Sequence, residues 1–106
     1  MGRHGQRGTG VYRMRYWYIV DNDGEYKGKA NTFEQAYYRV KELIERHPYR
    51  DLNIINEQQY EDINIDGWCE GGLHIDRNGV SDVEYIESAE YWREEDAKAY
   101  RRSMIL

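Results

Sequence analysis

Large apolar side chains alternate with other residues over residues 11–20, which predicts a β-strand. Tyr12, Met14, Tyr16, Tyr18 and Val20 fall on one side, and Arg13, Arg15, Trp17 and Ile19 on the other. Asp21-Asn22-Asp23-Gly24 follows, a run of residues that tolerate positive φ and so favour a hairpin turn. Glu25 to Ala30 is the returning strand. The period then changes to that of a helix. Phe33, Ala36, Tyr37, Val40, Leu43 and Ile44 form one stripe, Thr32-Phe33-Glu34-Gln35 has the form of a capping box, and His47-Pro48 is the stop.

Leu52 to Ile55 reads as a short strand, and Asn56 as the cap of a single helical turn through Gln59 and Tyr60. Residues 61–72, with three glycines and four acids, read as a loop with at most a short strand. Gly72 to Asp76 and Val80 to Ile86 flank Arg77-Asn78-Gly79 as a second hairpin. A last helix begins near Ser88 and runs to about Arg102, with its acids early and its bases late, as the helix dipole favours. Tyr18 to Gly24 matches Leu73 to Gly79 position by position, and a helix follows each hairpin. The expected fold is α+β: two tandem ββα-type units giving an antiparallel sheet of four to five strands, with two helices packed on one face.

Composition alters this picture in one respect. Leu, Ile, Val and Phe account for only nineteen of the 106 residues, whereas there are eleven Tyr and three Trp. A core built largely from aromatic rings is therefore expected. Residues 1–13 (MGRHGQRGTGVYR) are rich in Gly and Arg and carry no acid, so they read as a flexible basic extension of a single domain spanning residues 14–106. The sequence opens on no charged-then-apolar leader and its longest apolar run is Tyr16 to Val20, so a cytoplasmic protein without a membrane segment is expected. One cysteine, Cys69, excludes an internal disulfide.

Charge is unevenly distributed. Residues 1–50 carry ten Lys/Arg against six Asp/Glu, and residues 51–96 carry two against fourteen. Such a stretch projects a negative potential wherever it is displayed. Enzyme chemistry finds little support. Asp62-x-Asn64-x-Asp66-Gly67 opens like a calcium loop, but the closing Glu is replaced by Leu73. Cys69 and His74 lack the further ligands of a zinc site and the orienting group of a nucleophile–base pair. The Glu94-Glu95-Asp96 run is a solvated first turn, and no phosphate-binding loop is present. No cofactor and no metal are expected.

A non-enzymatic interaction module remains. Tyr60, Trp68, Tyr85 and Tyr91 supply anchoring area, and Asp62, Asp66, Glu84 and Glu87 supply steering, a combination suited to a basic protein surface. A small acidic inhibitor or regulator of a nucleic-acid-processing protein is the expected role, in the general format of phage-encoded anti-defence proteins that imitate nucleic acid. The alternative is an accessory protein that binds nucleic acid through Arg3, Arg7, Arg13, Arg15 and Trp17, whose charges and rings suit phosphates and bases. Against it, the chain from residue 16 onward carries eleven bases and twenty acids. A homodimer, its arginines meeting the acidic half of a second copy, is compatible with the same pattern.

Overall fold

In a computed structural model, which describes residues 15–46 and 51–105, five strands form one antiparallel sheet. Strands β1 (Trp17–Val20) and β2 (Tyr26–Ala30) are joined by the Asp21–Gly24 turn. Asp21 organises that turn through one carboxylate oxygen, Oδ1, which accepts the amides of Asp23 and Glu25, each at 2.9 Å. Helix α1 (Phe33–Arg46) follows, and Thr32 Oγ1 caps it by accepting the Gln35 amide at 3.1 Å. Strand β3 (Asp51–Asn56) then pairs with β1.

Beyond β3, helix α2 (Glu57–Asp66) is followed by β4 (Trp68–Glu70), β5 (Leu73–Asp76), β6 (Gly79–Asp82) and β7 (Tyr85–Glu87), then α3 (Ala89–Ile105). The large sheet has the order β2-β1-β3-β5-β6, and β4 pairs with β7 in a separate ribbon. In the second hairpin Asp76 does what Asp21 does in the first, its Oδ1 accepting the amides of Asn78 at 2.7 Å and Gly79 at 3.0 Å. The α+β class, the five-stranded antiparallel sheet and the recurrence of hairpin then helix stand as expected.

The helices distribute themselves differently from the expectation of one shared face. Ile19, Leu52, Ile54 and Ile75 meet Ala36, Val40 and Ile44 of α1 on one side of the sheet. On the other side Val20 and Ile55 meet Ile63 of α2, together with Cys69 and Ile86 of the ribbon. Central β3 is thus covered on both faces, which is why Leu52 to Ile55 are all buried and the alternation expected of a half-exposed strand is lost. Helix α3 lies apart from both clusters and buries no residue over 89–100.

Three expectations are corrected. The single turn after Asn56 is a ten-residue helix, started by a complete capping box. Asn56 Oδ1 accepts the Gln59 amide and Gln59 Oε1 accepts the Asn56 amide, both at 2.8 Å. Residues 62–66, read as part of a loop that opens like a calcium site, are helical and end on Gly67 in the left-handed region, at φ 83°. On the helix Asp62 and Asp66 share a face while Asn64 points away from it, so the three cannot wrap one cation. The core, finally, is aliphatic. No Tyr or Trp is among its buried residues, and Tyr26, Tyr38, Trp68, Tyr85, Trp92 and Tyr100 are exposed. Two small cores, one on each face, are filled by branched aliphatics, while phenol and indole polar atoms keep their rings at the boundary with water. The extension expected over residues 1–13 lies outside the described residues.

Candidate functional site

The β4–β7 ribbon displays two acids of the second half, Glu70 and Glu87. Trp68 pairs with Glu87, Cys69 with Ile86 and Glu70 with Tyr85. Because strand side chains alternate, Cys69 and Ile86 point into the core while Trp68, Glu70, Tyr85 and Glu87 all point outward, and all four are exposed. Each aromatic residue therefore stands directly across from a carboxylate. Glu84, just before β7, is exposed as well, its carbonyl accepting the Gly71 amide at 2.7 Å. Of the expected contact residues, Trp68, Glu84, Tyr85 and Glu87 are brought together here. Glu70 completes the face; its alternation with Trp68 would have revealed it had residues 68–70 been assigned as a strand.

The remaining expected residues are placed elsewhere. Tyr60 on α2 stacks on Tyr18 with centroids 4.1 Å apart and an interplanar angle of 5°. Tyr26 lies beside that pair, 6.0 Å from Tyr60 and 6.3 Å from Tyr18. Asp62 accepts from Gln58 Nε2 at 3.0 Å along the same helix, and Asp66 is the last residue of α2. Tyr91 packs over Gly67. Its neighbour Trp92 donates from Nε1 to the Gly67 carbonyl at 3.0 Å.

A cavity of about 500 Å³ opens where the β1–β2 turn, α2 and the first turn of α3 meet. Asp23, Glu25, Tyr26, Tyr60, Glu90 and Arg93 are on its wall. Only Tyr60 had a sequence signal. The others converge from segments far apart in the chain, which no local spacing reveals. The turn is held against the end of β7 closely enough that a methyl on Gly24 would sit 3.0 Å from the Glu87 carbonyl oxygen. The Ala89 amide donates to the Asp23 carbonyl at 3.0 Å.

Of the basic candidates, Arg3, Arg7 and Arg13 lie outside the described residues. Arg15 is exposed and its amide donates to Glu57 Oε1 at 3.1 Å. The Trp17 ring packs edge-on to Phe33 at 5.4 Å against the α1-side core. That position gives Trp17 a packing role.

A polar network centred on buried Asn53 crosses the second sheet face, from exposed Asn22 to half-buried His74. Asn53, 1% exposed, donates from Nδ2 to Asn22 Oδ1 at 3.0 Å, and its own Oδ1 lies 2.8 Å from His74 Nδ1. With Asn53 oriented this way, Nδ1 of His74 carries a proton. His74 Nε2 faces Asp51 Oδ2 at 3.6 Å, and Asn22 Nδ2 closes the ring on Asp51 Oδ1 at 3.1 Å.

Cys69 is buried and donates to the Gly71 carbonyl at 3.6 Å. Burial pushes its thiol up to about 11, so at neutral pH it is a packed, protonated side chain. The folded value lies above the unfolded one, so this contribution to stability is intact below pH ~9 and is lost as pH rises toward 11. Cys69 is expected to resist iodoacetamide at pH 8 and to react promptly in denaturant. A Cys69→Ala variant, itself less stable, should lose about 1–3 kcal/mol less than the parent between pH 8.5 and 11. Rapid alkylation of the native protein would show that the thiol is accessible.

Among the described residues no helix is long and apolar enough to cross a membrane, and no group of three or more His, Cys, Asp or Glu is placed to hold a metal ion.

Comparison with known proteins adds no relative. No family model, no curated protein and no solved structure matches this chain.

Proposed function

We propose that the protein is a non-enzymatic interaction module that binds a basic protein surface, acting in the cytoplasm as a small acidic inhibitor or regulator of a nucleic-acid-processing protein. The observation that carries this reading is the outer face of the ribbon, where exposed Trp68 and Tyr85 are each paired across the strands with Glu87 and Glu70. Two large rings left on a three-residue ribbon provide anchoring area, and carboxylates beside them select lysine- or arginine-rich partners.

Charge supports the same assignment. Described residues 15–46 carry six bases and six acids, so the basic character of the first half resides in Arg3, Arg7, Arg13 and Arg50. Residues 51–100 carry three bases and fourteen acids. An acidic face of this kind competes with nucleic acid for a basic groove, which is the sense in which it acts as a mimic.

The test begins with capture of the partner from the native host and continues with the purified pair. The protein is expected to displace a labelled duplex from that partner, with added salt weakening both complexes. Trp68→Ala should cost about 2 kcal/mol of binding, roughly thirtyfold in Kd. Reversing Glu70 and Glu87 to Lys should mainly slow association. Undiminished binding by Trp68→Ala and by the charge reversal would remove the ribbon from the interface. A direct, salt-sensitive shift of the duplex by this protein alone would favour a nucleic-acid-binding role instead.

A further inference from the structure

We infer that the cavity between the β1–β2 turn, α2 and the start of α3 is the seat of one arginine side chain presented by the partner. The inference rests on the interaction-module reading and supplies the chemistry of its anchor. At about 500 Å³ the cavity is within the size range of ordinary ligand sites.

Its wall is suited to a flat cation. Tyr18 and Tyr60 are stacked and half-buried, which fixes the platform, while Tyr26 beside them is 47% exposed and keeps a face open. Three acidic residues line the wall, Asp23 and Glu25 from the β1–β2 connection and Glu90 from α3. Against them stands one cation of the wall, Arg93, and Lys27 lies 3.6 Å from Glu25 Oε1. The same tyrosine cluster already takes an ammonium group on another ring, since Lys29 Nζ lies 4.2 Å from the centroid of Tyr16.

An anion is the poorer occupant even though a helix begins here. The amide of Ala89 is taken by the Asp23 carbonyl, that of Tyr91 by Ser88 Oγ at 3.1 Å, and that of Trp92 by the Ser88 carbonyl at 3.2 Å. Three amides of this helix start are therefore already engaged, and the acidic residues of the wall would repel an anion. Arginine is preferred over lysine because guanidinium is planar and weakly hydrated. It can lie on a tyrosine face and meet a carboxylate with paired N–H groups at once.

The probe is N-acetyl-arginine amide, titrated into the ¹⁵N-labelled full chain, with N-acetyl-lysine amide and N-acetyl-glycine amide as comparators. Saturable shifts are expected at the amides of Gly24, Tyr26, Tyr60 and Ala89, larger at a given concentration for arginine than for lysine and absent for glycine. Tyr26→Leu should weaken arginine binding about fivefold. Glu90→Gln should weaken it less, and Arg93→Gln should tighten it by removing the competing cation. Preserved spectral dispersion establishes that each variant is folded. Absent shifts at these amides, or shifts equal for arginine and glycine, reject the cavity as an arginine site. So does affinity unaltered by Tyr26→Leu. If such a rejection is accompanied by intact, Trp68-dependent partner binding, the inference fails and the module reading stands. If capped arginine binds but no basic partner does, the cavity chemistry stands and the module reading fails.

Discussion

Gly67→Ala is expected to destabilise the protein by about 2–4 kcal/mol, the sum of a backbone cost and a steric one. The backbone cost arises because Gly67 is at φ 83°, where a side chain is disfavoured by about 1–2 kcal/mol. The steric cost arises because a methyl group there would lie 2.3 Å from Cδ1 and 2.8 Å from Cγ of Tyr91. Those atoms are near the root of the ring, so rotation of the tyrosine cannot clear them and α3 has to move. Its carbonyl is the hub of the acidic half, accepting the Ser88 amide at 2.8 Å and Trp92 Nε1 at 3.0 Å. Displacement would loosen α3 from the end of the ribbon that carries Trp68. Urea denaturation measures the loss, and Tyr91→Ala separates its parts: in that background Gly67→Ala should cost only the backbone term. An equally stable Gly67→Ala protein, or a cost unchanged by Tyr91→Ala, would refute this account.

Local signals foretold what is local. The Asp21–Gly24 turn, the Thr32 cap and the Ala36/Val40/Ile44 stripe each occupy a few neighbouring residues, and each is present in the structure. Helix α2 escaped because its periodicity is weak. Ile63 is its only buried residue, and acids occupy much of the rest, so a 3.6-residue stripe is absent even though the Asn56/Gln59 capping box is complete. The distribution of helices over two faces also has no local signature. It follows from β3 being central, and a central strand is recognised only once its partners are known. The aromatic count misled for a related reason: composition measures how much ring area exists, whereas burial is decided by which elements cover the sheet.

For the candidate surface the result was mixed for the same reason. Trp68, Tyr85 and Glu87 share a face through strand alternation, a property readable once the pairing is known. Tyr60, although close to them in sequence, projects from a helix into the tyrosine cluster around Tyr18 and Tyr26. The acidic half therefore offers two neighbouring chemistries, an outward ribbon face and a recessed cavity. The link between them is covalent, since β7 runs from Glu87 through Ser88 into the first turn of α3, where Glu90 reaches the cavity wall.

Asn53→Ala should cost about 2–3 kcal/mol, because the substitution removes two hydrogen bonds from a buried side chain and leaves half-buried His74 without that partner, while exposed Asn22 can turn to water. Asn53 is the one buried polar side chain among the described residues, and it sits in the central strand between Val20 of β1 and His74 of β5. Its loss leaves His74 Nδ1 without the Asn53 acceptor and Asn22 Oδ1 without the Asn53 donor. The network has a second consequence. A one-residue slip of β3 would turn Asn53 toward the aliphatic α1-side core and Leu52 toward His74, so the polar pair penalises the wrong register. His74→Ala alone should be destabilising too. The double variant should then be more stable than the two single losses predict, by about 1 kcal/mol or more, since each residue needs the other. Measured by urea denaturation, strictly additive losses would show that Asn53 and His74 act independently and that the network does not hold the register.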